Sequence, residues 1–308
     1  MERKGRIVVI AGPTAAGKTE VAIRVARRVS GDIVSCDSMQ IYKYMDIGSA
    51  KPTPEERALA THYLVDEIDP SDEFSVAKYQ TLAKEYISKI LSQGRVPIVE
   101  GGTGLYLNSL LYDMDFPGEG KDKKFRDDLT EEARLFGNMF VYEKLKAIDP
   151  EAAERIHPNN LIRVIKALEA ASTGSSMGDF NKFSRTEDYD TIMFGVTRDR
   201  SELYDRINRR VDIMVDAGLF DEVKGLLERG ISEDDISMKG IGYKEVLAYF
   251  DGVYTYEETL DKIKQNTRHL AKRQEAWFKR YQDMIWYNLS QITIDEAVEQ
   301  IVWQIEQK

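Results

Sequence analysis

A phosphate-binding loop stands near the start of the chain. The stretch GPTAAGKT has the spacing G-x-x-x-x-G-K-[ST] and directly follows the apolar run RIVVIA. Glycines at these positions let successive backbone N–H groups point at phosphate oxygens, while the lysine adds a positive charge and the threonine hydroxyl is suited to Mg²⁺. The sequence therefore predicts a phosphate site, with Mg²⁺ on Thr19, formed by Gly12, Pro13, Thr14, Ala15, Ala16, Gly17, Lys18 and Thr19.

The loop alone leaves the phosphate compound open, because nucleotide hydrolysis, phosphorylation and other diphosphate chemistry all use it. The chain lacks the Asn-Lys-x-Asp motif with which a GTPase reads its base. A hydrolytic ATPase holds Mg²⁺ with an aspartate that ends an apolar strand, and VPIVEGG ends in Glu100 instead, which is a partial match. A second carboxylate, Asp37, ends the apolar stretch DIVSC and is expected to face the same ligand site.

Strand and helix patterns alternate up to about Leu111. RIVVIA, DIVSCDS and VPIVEGG have the apolar character of buried strands, whereas KTEVAIRVARRVS and VAKYQTLAKEYISKILSQG carry apolar residues at helical spacing. Gly94 is placed to end the second helix. This rhythm predicts an α/β fold of the P-loop NTPase type, a parallel sheet flanked by helices with its ligand at the carboxyl ends of the strands.

The rhythm changes near Tyr112, where a polar linker begins and a wholly helical pattern follows from Phe125 to Ala171. A second loop-rich stretch, residues 172–190, precedes the strand-like TIMFGVTRD, and everything after Ser201 is predicted to be helical. We therefore predict a catalytic core of residues 1–113 and 197–308, with its C-terminal helices, and an inserted all-helical subdomain of residues 114–196.

Composition is that of an ordinary globular protein, with 42% hydrophobic and 31% charged residues. No apolar run reaches the length of a membrane span, and no signal-peptide pattern opens the chain. The single cysteine, Cys36, fits a reducing compartment, so we expect a cytoplasmic protein with no membrane partner. The net charge of -10 argues against a nucleic-acid partner only if the charges are evenly spread.

The charges are not evenly spread. Between Leu260 and Tyr281 the chain has seven basic and two acidic residues. Apolar positions in the same stretch fall on one predicted helical stripe, consisting of Leu260, Ile263, Thr267, Leu270 and Trp277. A helix of this kind can pack through its apolar side and present its basic side to phosphates.

Six motifs in this order resemble the tRNA dimethylallyltransferase (isopentenyltransferase) family and span nearly the whole chain. They are GPTAAGKT, DSMQIYKYMDIGSAKP, GGTGLY, DPEAAERIHPNN, IGYKE and TRHLAKRQEAWF. In the loop after residue 172, Ser175 stands where the family has lysine. The resemblance implies that the phosphate loop holds the diphosphate of dimethylallyl diphosphate, and that the allyl group moves to N6 of the adenosine 3′-adjacent to the anticodon in tRNA.

The resemblance also implies roles for individual residues. Asp37 would be the general base, Thr103 would lie at the reacting centre, and Arg210 would bind the diphosphate opposite the loop. From the residues alone, Asp37 can equally be a magnesium ligand or a helix cap, Thr103 a helix N-cap, and Arg210 a surface partner of a nearby aspartate. The tRNA anticodon stem-loop would contact the insertion and Asp37, Ser38, Met39, Gln40, Thr103, Arg126, Arg163, Lys272, Arg273 and Arg280, with the protein acting as a monomer.

Two other classes of protein share the loop. A small-molecule kinase of the nucleoside or shikimate type has the same sheet but no need of a basic C-terminal helix. A non-catalytic nucleotide switch would bind a nucleotide without turnover. Transfer of label from dimethylallyl diphosphate to undermodified tRNA distinguishes the transferase from both.

Overall fold

The chain divides into two compact units. The computed structural model describes residues 5–114, 116, 123–172 and 184–307. One unit comprises Met1–Leu111 and Thr186–Lys308, and the other comprises Tyr112–Arg185. Within the described residues, no helix combines the length and the apolar character needed to cross a membrane.

The first unit is built on a parallel sheet. Its described strands are β1 (Gly5–Ala11), β2 (Gly31–Cys36), β3 (His62–Tyr63), β4 (Val96–Gly101), β5 (Tyr189–Thr197) and β6 (Ile285–Asn288). They lie in the order β3-β2-β4-β1-β5-β6, and every neighbouring pair is parallel. The predicted α/β fold is therefore confirmed.

Helices account for most of the remaining described chain. They are α1 (Lys18–Arg28), α2 (Pro54–Leu59), α3 (Val76–Ser92), α4 (Gly104–Leu111), α5 (Lys123–Phe136), α6 (Asn138–Ile148), α7 (Pro150–Arg155), α8 (Leu161–Ser172), α9 (Arg200–Asp216), α10 (Leu219–Glu228), α11 (Tyr243–Phe250), α12 (Tyr256–Phe278) and α13 (Ile294–Gln307). Parallel strands cannot be joined by hairpins, so helices such as α1 and α3 make the crossover connections between them.

Burial on both faces explains why the strands are apolar throughout. Val8 and Ile10 of β1 belong to a core shared with α1, α9 and α13. Ile7 and Val9 alternate with them and are also buried, and α3 packs against β1, β2 and β4. Since successive side chains of a strand point to opposite faces, the central strands are covered on both sides.

The second unit is a helical cluster formed by α5, α6, α7 and α8. Its core contains Leu129, Val141, Leu145, Val164 and Leu168, which recur at helical spacing in the sequence. The helical pattern predicted from Phe125 to Ala171 is confirmed. This unit ends at Arg185 rather than at residue 196, because residues 189–197 form a strand of the sheet.

One other feature differs from the predictions. β6 interrupts the C-terminal region that was predicted to be wholly helical. It is only four residues long and extends the sheet beyond β5, so its apolar period is too short to identify. Residues 115, 117–122 and 173–183 lie outside the described residues, so most of the predicted linker and of the 172–190 loop is not described.

The strand order brings three loops to one edge of the sheet. β2, β4 and β1 are neighbours, and because they are parallel their carboxyl ends lie together. The phosphate loop follows β1, Asp37 follows β2, and Thr103 follows β4. The fold therefore gathers residues that are almost a hundred positions apart in the sequence.

We predict that Gly12→Ala destabilises the protein by roughly 1–3 kcal/mol, as overpacking does. A Cβ atom on Gly12 would lie 2.1 Å from the Val196 carbonyl oxygen of β5, and the residue has φ +151°. Gly225→Ala in α10 is the matched control, since open space surrounds that position and alanine favours the helix. Thermal unfolding should show a lower Tm for Gly12→Ala and no decrease in Tm for Gly225→Ala. Equal Tm values for the two variants would contradict the close approach.

Candidate active site

The phosphate loop presents a row of backbone N–H groups with no acceptor in the protein. The N–H groups of Ala15, Gly17, Lys18 and Thr19 make no hydrogen bond to any described residue. Left-handed backbone at Ala15 (φ +64°) and Gly17 (φ +107°) turns the chain at this point. The last two N–H groups also open α1, whose N-terminus carries partial positive charge. The loop is therefore arranged to bind an anion.

Two other N–H groups of the loop are occupied. The Ala16 N–H donates to the Pro13 carbonyl oxygen at 3.3 Å. The Thr14 N–H donates to the Gln274 side-chain oxygen at 2.8 Å. The free donors described above therefore all lie between Ala15 and Thr19.

A half-buried lysine and a buried glutamate influence each other's charge at the loop. The Lys18 ammonium donates to the Pro13 carbonyl oxygen at 3.0 Å. Burial lowers the pKa of Lys18, whereas the carboxylates of Glu100 and Asp37 raise it. Burial raises the pKa of Glu100, which the positive charge of Lys18 opposes, and its Oε1 accepts a hydrogen bond from the Thr19 hydroxyl at 3.4 Å. Glu100, which the sequence indicated only as a partial match, belongs to the site.

Asp37 has one engaged and one free carboxylate oxygen. Its Oδ1 accepts hydrogen bonds from the N–H groups of Met39, at 2.8 Å, and Gln40, at 3.2 Å. Its Oδ2 accepts none from the described residues. Asp37 therefore caps the turn that follows β2 and still offers an oxygen to a ligand. Met39 and Ser38 are half-buried, whereas Gln40 is buried and donates to the Ala50 carbonyl oxygen at 3.2 Å.

Thr103 connects the turn after β4 to the turn after β2. Its hydroxyl oxygen accepts a hydrogen bond from the Ser38 N–H at 3.1 Å, and its own N–H donates to the Cys36 carbonyl oxygen at 3.0 Å. The alternative that the side chain caps α4 is not what the structure has, because the hydroxyl faces Ser38. The predicted pair Asp37 and Thr103 is thus joined through one short turn.

The segment that follows Asp37 is held from outside the sheet. The Glu222 carboxylate of α10 accepts three consecutive N–H groups, those of Asp46, Ile47 and Gly48, at 2.7–3.0 Å. The buried Lys51 ammonium donates to the Tyr42 carbonyl oxygen at 2.8 Å and pairs with Asp46 and Asp66. These contacts explain why the stretch is polar yet well ordered. A loop that satisfies its own backbone groups keeps Asp37 in place.

Two arginines of α9 approach the loop from the other side. The Arg206 guanidinium donates to the Ala15 carbonyl oxygen at 2.9 Å. Arg210, one turn later, is half-buried and makes no hydrogen bond or ion pair with a described residue, including the nearby aspartates of its own helix. Burial lowers the pKa of Arg210, and the neighbouring charge of Arg206 lowers it further. An anion between the loop and Arg210 would relieve this penalty.

A cavity of about 510 Å³ lies beside these groups. Ala15, Lys51, Arg206, Arg209 and Arg210 contribute to its lining, together with apolar side chains of α9. Acidic residues also reach it, and the carboxylate of Glu56 acts to raise the pKa of Arg210. The cavity combines a cationic side with an apolar one, as a small amphipathic anion requires.

Helix α12 carries the predicted basic surface. Lys272, Arg273 and Arg280 are exposed, and the Arg280 guanidinium lies 5.0 Å from the Trp277 ring centroid. Other basic side chains of the stretch are engaged, since Lys264 pairs with Asp212, Lys279 with Glu275, and Arg268 with Asn208. The exposed cations are therefore fewer than the sequence count suggests.

The predicted apolar stripe of α12 is partly wrong. The buried residues are Thr259, Ile263, Ala271 and Phe278. Four members of the predicted stripe, Leu260, Thr267, Leu270 and Trp277, are only half-buried. Thr259, Ala271 and Phe278 each lie one residue from a predicted position. The polar Gln274 of the same helix contacts the loops, and a purely hydrophobic count does not detect such a contact.

The predicted tRNA contacts of the helical unit differ in their accessibility. Arg163 is exposed on α8. Arg126 forms an ion pair with Glu169 at 3.0 Å, and both side chains are largely covered. A phosphate would have to compete with Glu169 for Arg126, so Arg163 is the more available of the two.

These features define a P-loop α/β protein in which a carboxylate, Asp37, and an arginine with no partner among the described residues, Arg210, accompany the phosphate loop. A model of the family described as IPP transferase matches residues 40–303. The chain belongs to this family.

Similar proteins agree with that membership. A tRNA dimethylallyltransferase of Alkaliphilus oremlandii is 52% identical over 289 residues, which are 93% of this chain and 92% of the relative. The solved tRNA isopentenylpyrophosphate transferase of Bacillus halodurans is 42% identical, with a TM-score of 0.74 and coverage of 99% and 96%. A eukaryotic dimethylallyltransferase solved while acting on tRNA is 26% identical, with a TM-score of 0.82 and coverage of 99% and 80%.

We predict that Arg210→Ala weakens the binding of inorganic diphosphate roughly ten- to a hundredfold, since a charge-assisted hydrogen bond contributes about 1.5–3 kcal/mol. Arg209→Ala is the control, because Arg209 also lines the cavity but is exposed to solvent. Calorimetric titration of both variants should show a large loss only for the first. Similar affinities for the two variants would separate Arg210 from the anion site.

Proposed function

We propose that the protein transfers the dimethylallyl group of dimethylallyl diphosphate to N6 of the adenosine 3′-adjacent to the anticodon in tRNA, releasing diphosphate. The observation that carries this proposal is the set of loop N–H groups and the Arg210 guanidinium that lack acceptors among the described residues, with the free Oδ2 of Asp37 at the same edge of the sheet. Relatives named tRNA dimethylallyltransferase support the same reaction. Because tRNA is processed and used in the cytoplasm, we expect the protein to act there.

The leaving group is where most stabilisation is needed. The adenine amino lone pair is delocalised into the ring, so N6 is a weak nucleophile and the C1–O bond must break easily. When it breaks, the electron pair goes to the diphosphate. The free N–H groups of the loop, the Lys18 ammonium and the Arg210 guanidinium are positioned to stabilise that charge.

Asp37 is proposed as the base. As the new C1–N6 bond forms, N6 becomes positively charged and must lose a proton. The Asp37 Oδ2 can accept it, while Oδ1 stays engaged with the turn. Thr103, bonded to Ser38 in that turn, is proposed to orient the reacting adenine.

The oxygen atoms of Thr19 and Glu100 fit a Mg²⁺ ion that accompanies the diphosphate. Mg²⁺ prefers oxygen ligands and is held in phosphate sites by few protein groups plus substrate oxygens. Bound there, Mg²⁺ would neutralise part of the diphosphate charge.

We propose that tRNA is held by two surfaces. The first comprises Lys272 and Arg273 of α12 and Arg280 just beyond its C-terminus, all exposed, with Asp37, Ser38, Met39, Gln40 and Thr103 near the adenine. The second is the helical unit, through Arg163 and, after exchange of its partner Glu169, Arg126. Binding by a single copy of the chain is sufficient for this arrangement.

The function is tested by incubating the protein with labelled dimethylallyl diphosphate and tRNA from cells that lack this modification. Label should appear on one adenosine, and nucleoside mass analysis should identify it. Consumption of ATP with a small acceptor, without labelled tRNA, would favour the kinase instead.

We predict that Asp37→Asn lowers the rate of transfer roughly 10²–10⁴-fold, the usual contribution of a general base. Asparagine keeps an oxygen for the Met39 and Gln40 N–H groups, so the turn and diphosphate affinity should be preserved. Asp69→Asn is the control, because Asp69 accepts the Ser71 N–H in a similar turn elsewhere. Single-turnover rates with near-normal values for Asp37→Asn would refute the assignment.

We also predict that alanine at Lys272, Arg273 and Arg280 together weakens tRNA binding and flattens its salt dependence. Each lost phosphate contact should reduce the slope of log K against log salt by roughly 0.7–0.9. A control variant replaces three exposed lysines outside α12, at positions Lys89, Lys224 and Lys239, and removes the same charge. Titrations at several salt concentrations compare the slopes, and equal slopes for both variants would exclude α12 from the tRNA surface.

A further inference from the structure

The side chain of Gln274 connects the phosphate loop to the turn after β4. Its Oε1 accepts the Thr14 N–H at 2.8 Å, and its Nε2 donates to the Gly102 carbonyl oxygen at 3.0 Å. Both polar ends of the amide are therefore used, each on a different loop of the site. Gln274 lies on α12, directly after the exposed Lys272 and Arg273.

The turn after β4 is shaped to receive α12. A Cβ atom on Gly102 would lie 2.3 Å from the Gln274 Nε2, and a Cβ atom on Gly104 would lie 2.3 Å from the Trp277 ring. Gln274 and Trp277, one helical turn apart, thus pack against backbone positions where any side chain larger than that of glycine would clash. Thr103 lies between the two glycines and accepts the Ser38 N–H.

The contacts form one continuous path. It runs from the basic surface of α12 through the Gln274 amide to the phosphate loop, and through Gly102 and Thr103 to the turn that Asp37 caps. A ligand that orders α12 would therefore order both loops at once. When a first ligand has already reduced the motion of a site, a second ligand loses less conformational entropy on binding.

We propose that Gln274 is a positioning residue that couples tRNA binding on α12 to diphosphate binding in the phosphate loop, with positive sign. The inference rests on the proposed function, since it takes tRNA as the ligand of α12. Gln274 has this role because it is hydrogen-bonded to the phosphate loop and lies on the helix that carries the basic surface.

The test measures affinity for inorganic diphosphate with and without undermodified tRNA. In the unmodified protein, tRNA should raise the affinity by on the order of fivefold or more, as coupling between sites typically does. In Gln274→Leu, which has similar volume and neither hydrogen bond, the two affinities should become nearly equal. By reciprocity, diphosphate should raise tRNA affinity only in the unmodified protein.

Two further variants make the outcome decisive. Gln274→Glu keeps an acceptor for the Thr14 N–H but loses the donor to Gly102, so it should retain less coupling than the unmodified protein even if Gln274→Leu unfolds. Gln265→Leu replaces an exposed glutamine of the same helix and should keep full coupling. A purely structural role would instead lower Tm and leave the affinity ratio unchanged.

Coupling of equal size in the unmodified protein and both Gln274 variants, or none in the unmodified protein, would overturn the inference. Labelled transfer is measured in parallel on the unmodified protein. Absence of transfer contradicts the proposed function, whereas transfer with unaltered coupling in the variants contradicts the role of Gln274 alone.

Discussion

The Lys18 ammonium, which is partly removed from water, is the group around which the site is organised. A cation removed from water is unfavourable unless it is paired and hydrogen-bonded. Here the compensating negative charge comes from carboxylates at the ends of two other strands, Glu100 in β4 and Asp37 after β2, which raise the lysine pKa against the effect of burial. Those carboxylates are within reach only because β2, β4 and β1 are neighbours in a parallel sheet. The sheet order and the chemistry thus depend on each other.

The same electrostatic argument explains the arginines of α9. Arg206 and Arg210 lie one turn apart, and both have a pKa lowered by burial and by a neighbouring arginine. In the absence of an anion, such a pair destabilises the fold. Its placement against the loop becomes favourable when a multiply charged phosphate compound is bound. The free energy of unfolding is therefore lower without the anion, and binding of the anion restores it.

Features encoded by neighbouring residues could be predicted from the sequence. The phosphate loop is a contiguous motif, and the strands preceding Gly12, Asp37 and Gly102 are apolar because both faces of the sheet are covered. The position of Asp37 at a strand end follows from the same pattern. The helical insertion was recognisable because its helices each bury a stripe in a separate core.

Features that depend on distant pairing could not be predicted in this way. Gln274 looks like an ordinary polar residue of a helix until the fold brings two loops against it. Its neighbours on α12 therefore deviate from the apolar stripe, and the ion pair of Arg126 with Glu169 is equally invisible in the sequence. β6 is too short to have a readable period, and it is a strand because β5 provides an edge for it.

The hydrogen bond between Thr14 and Gln274 joins residues 260 positions apart, and this has a consequence for biosynthesis. The phosphate loop leaves the ribosome long before α12, the helix on which its fixed geometry depends. β1 must also wait for β4 and β5 before both of its edges are paired. Until then it exposes apolar strand edges that favour aggregation. The nascent chain therefore carries an unassembled phosphate loop throughout the synthesis of the residues between Thr14 and Gln274.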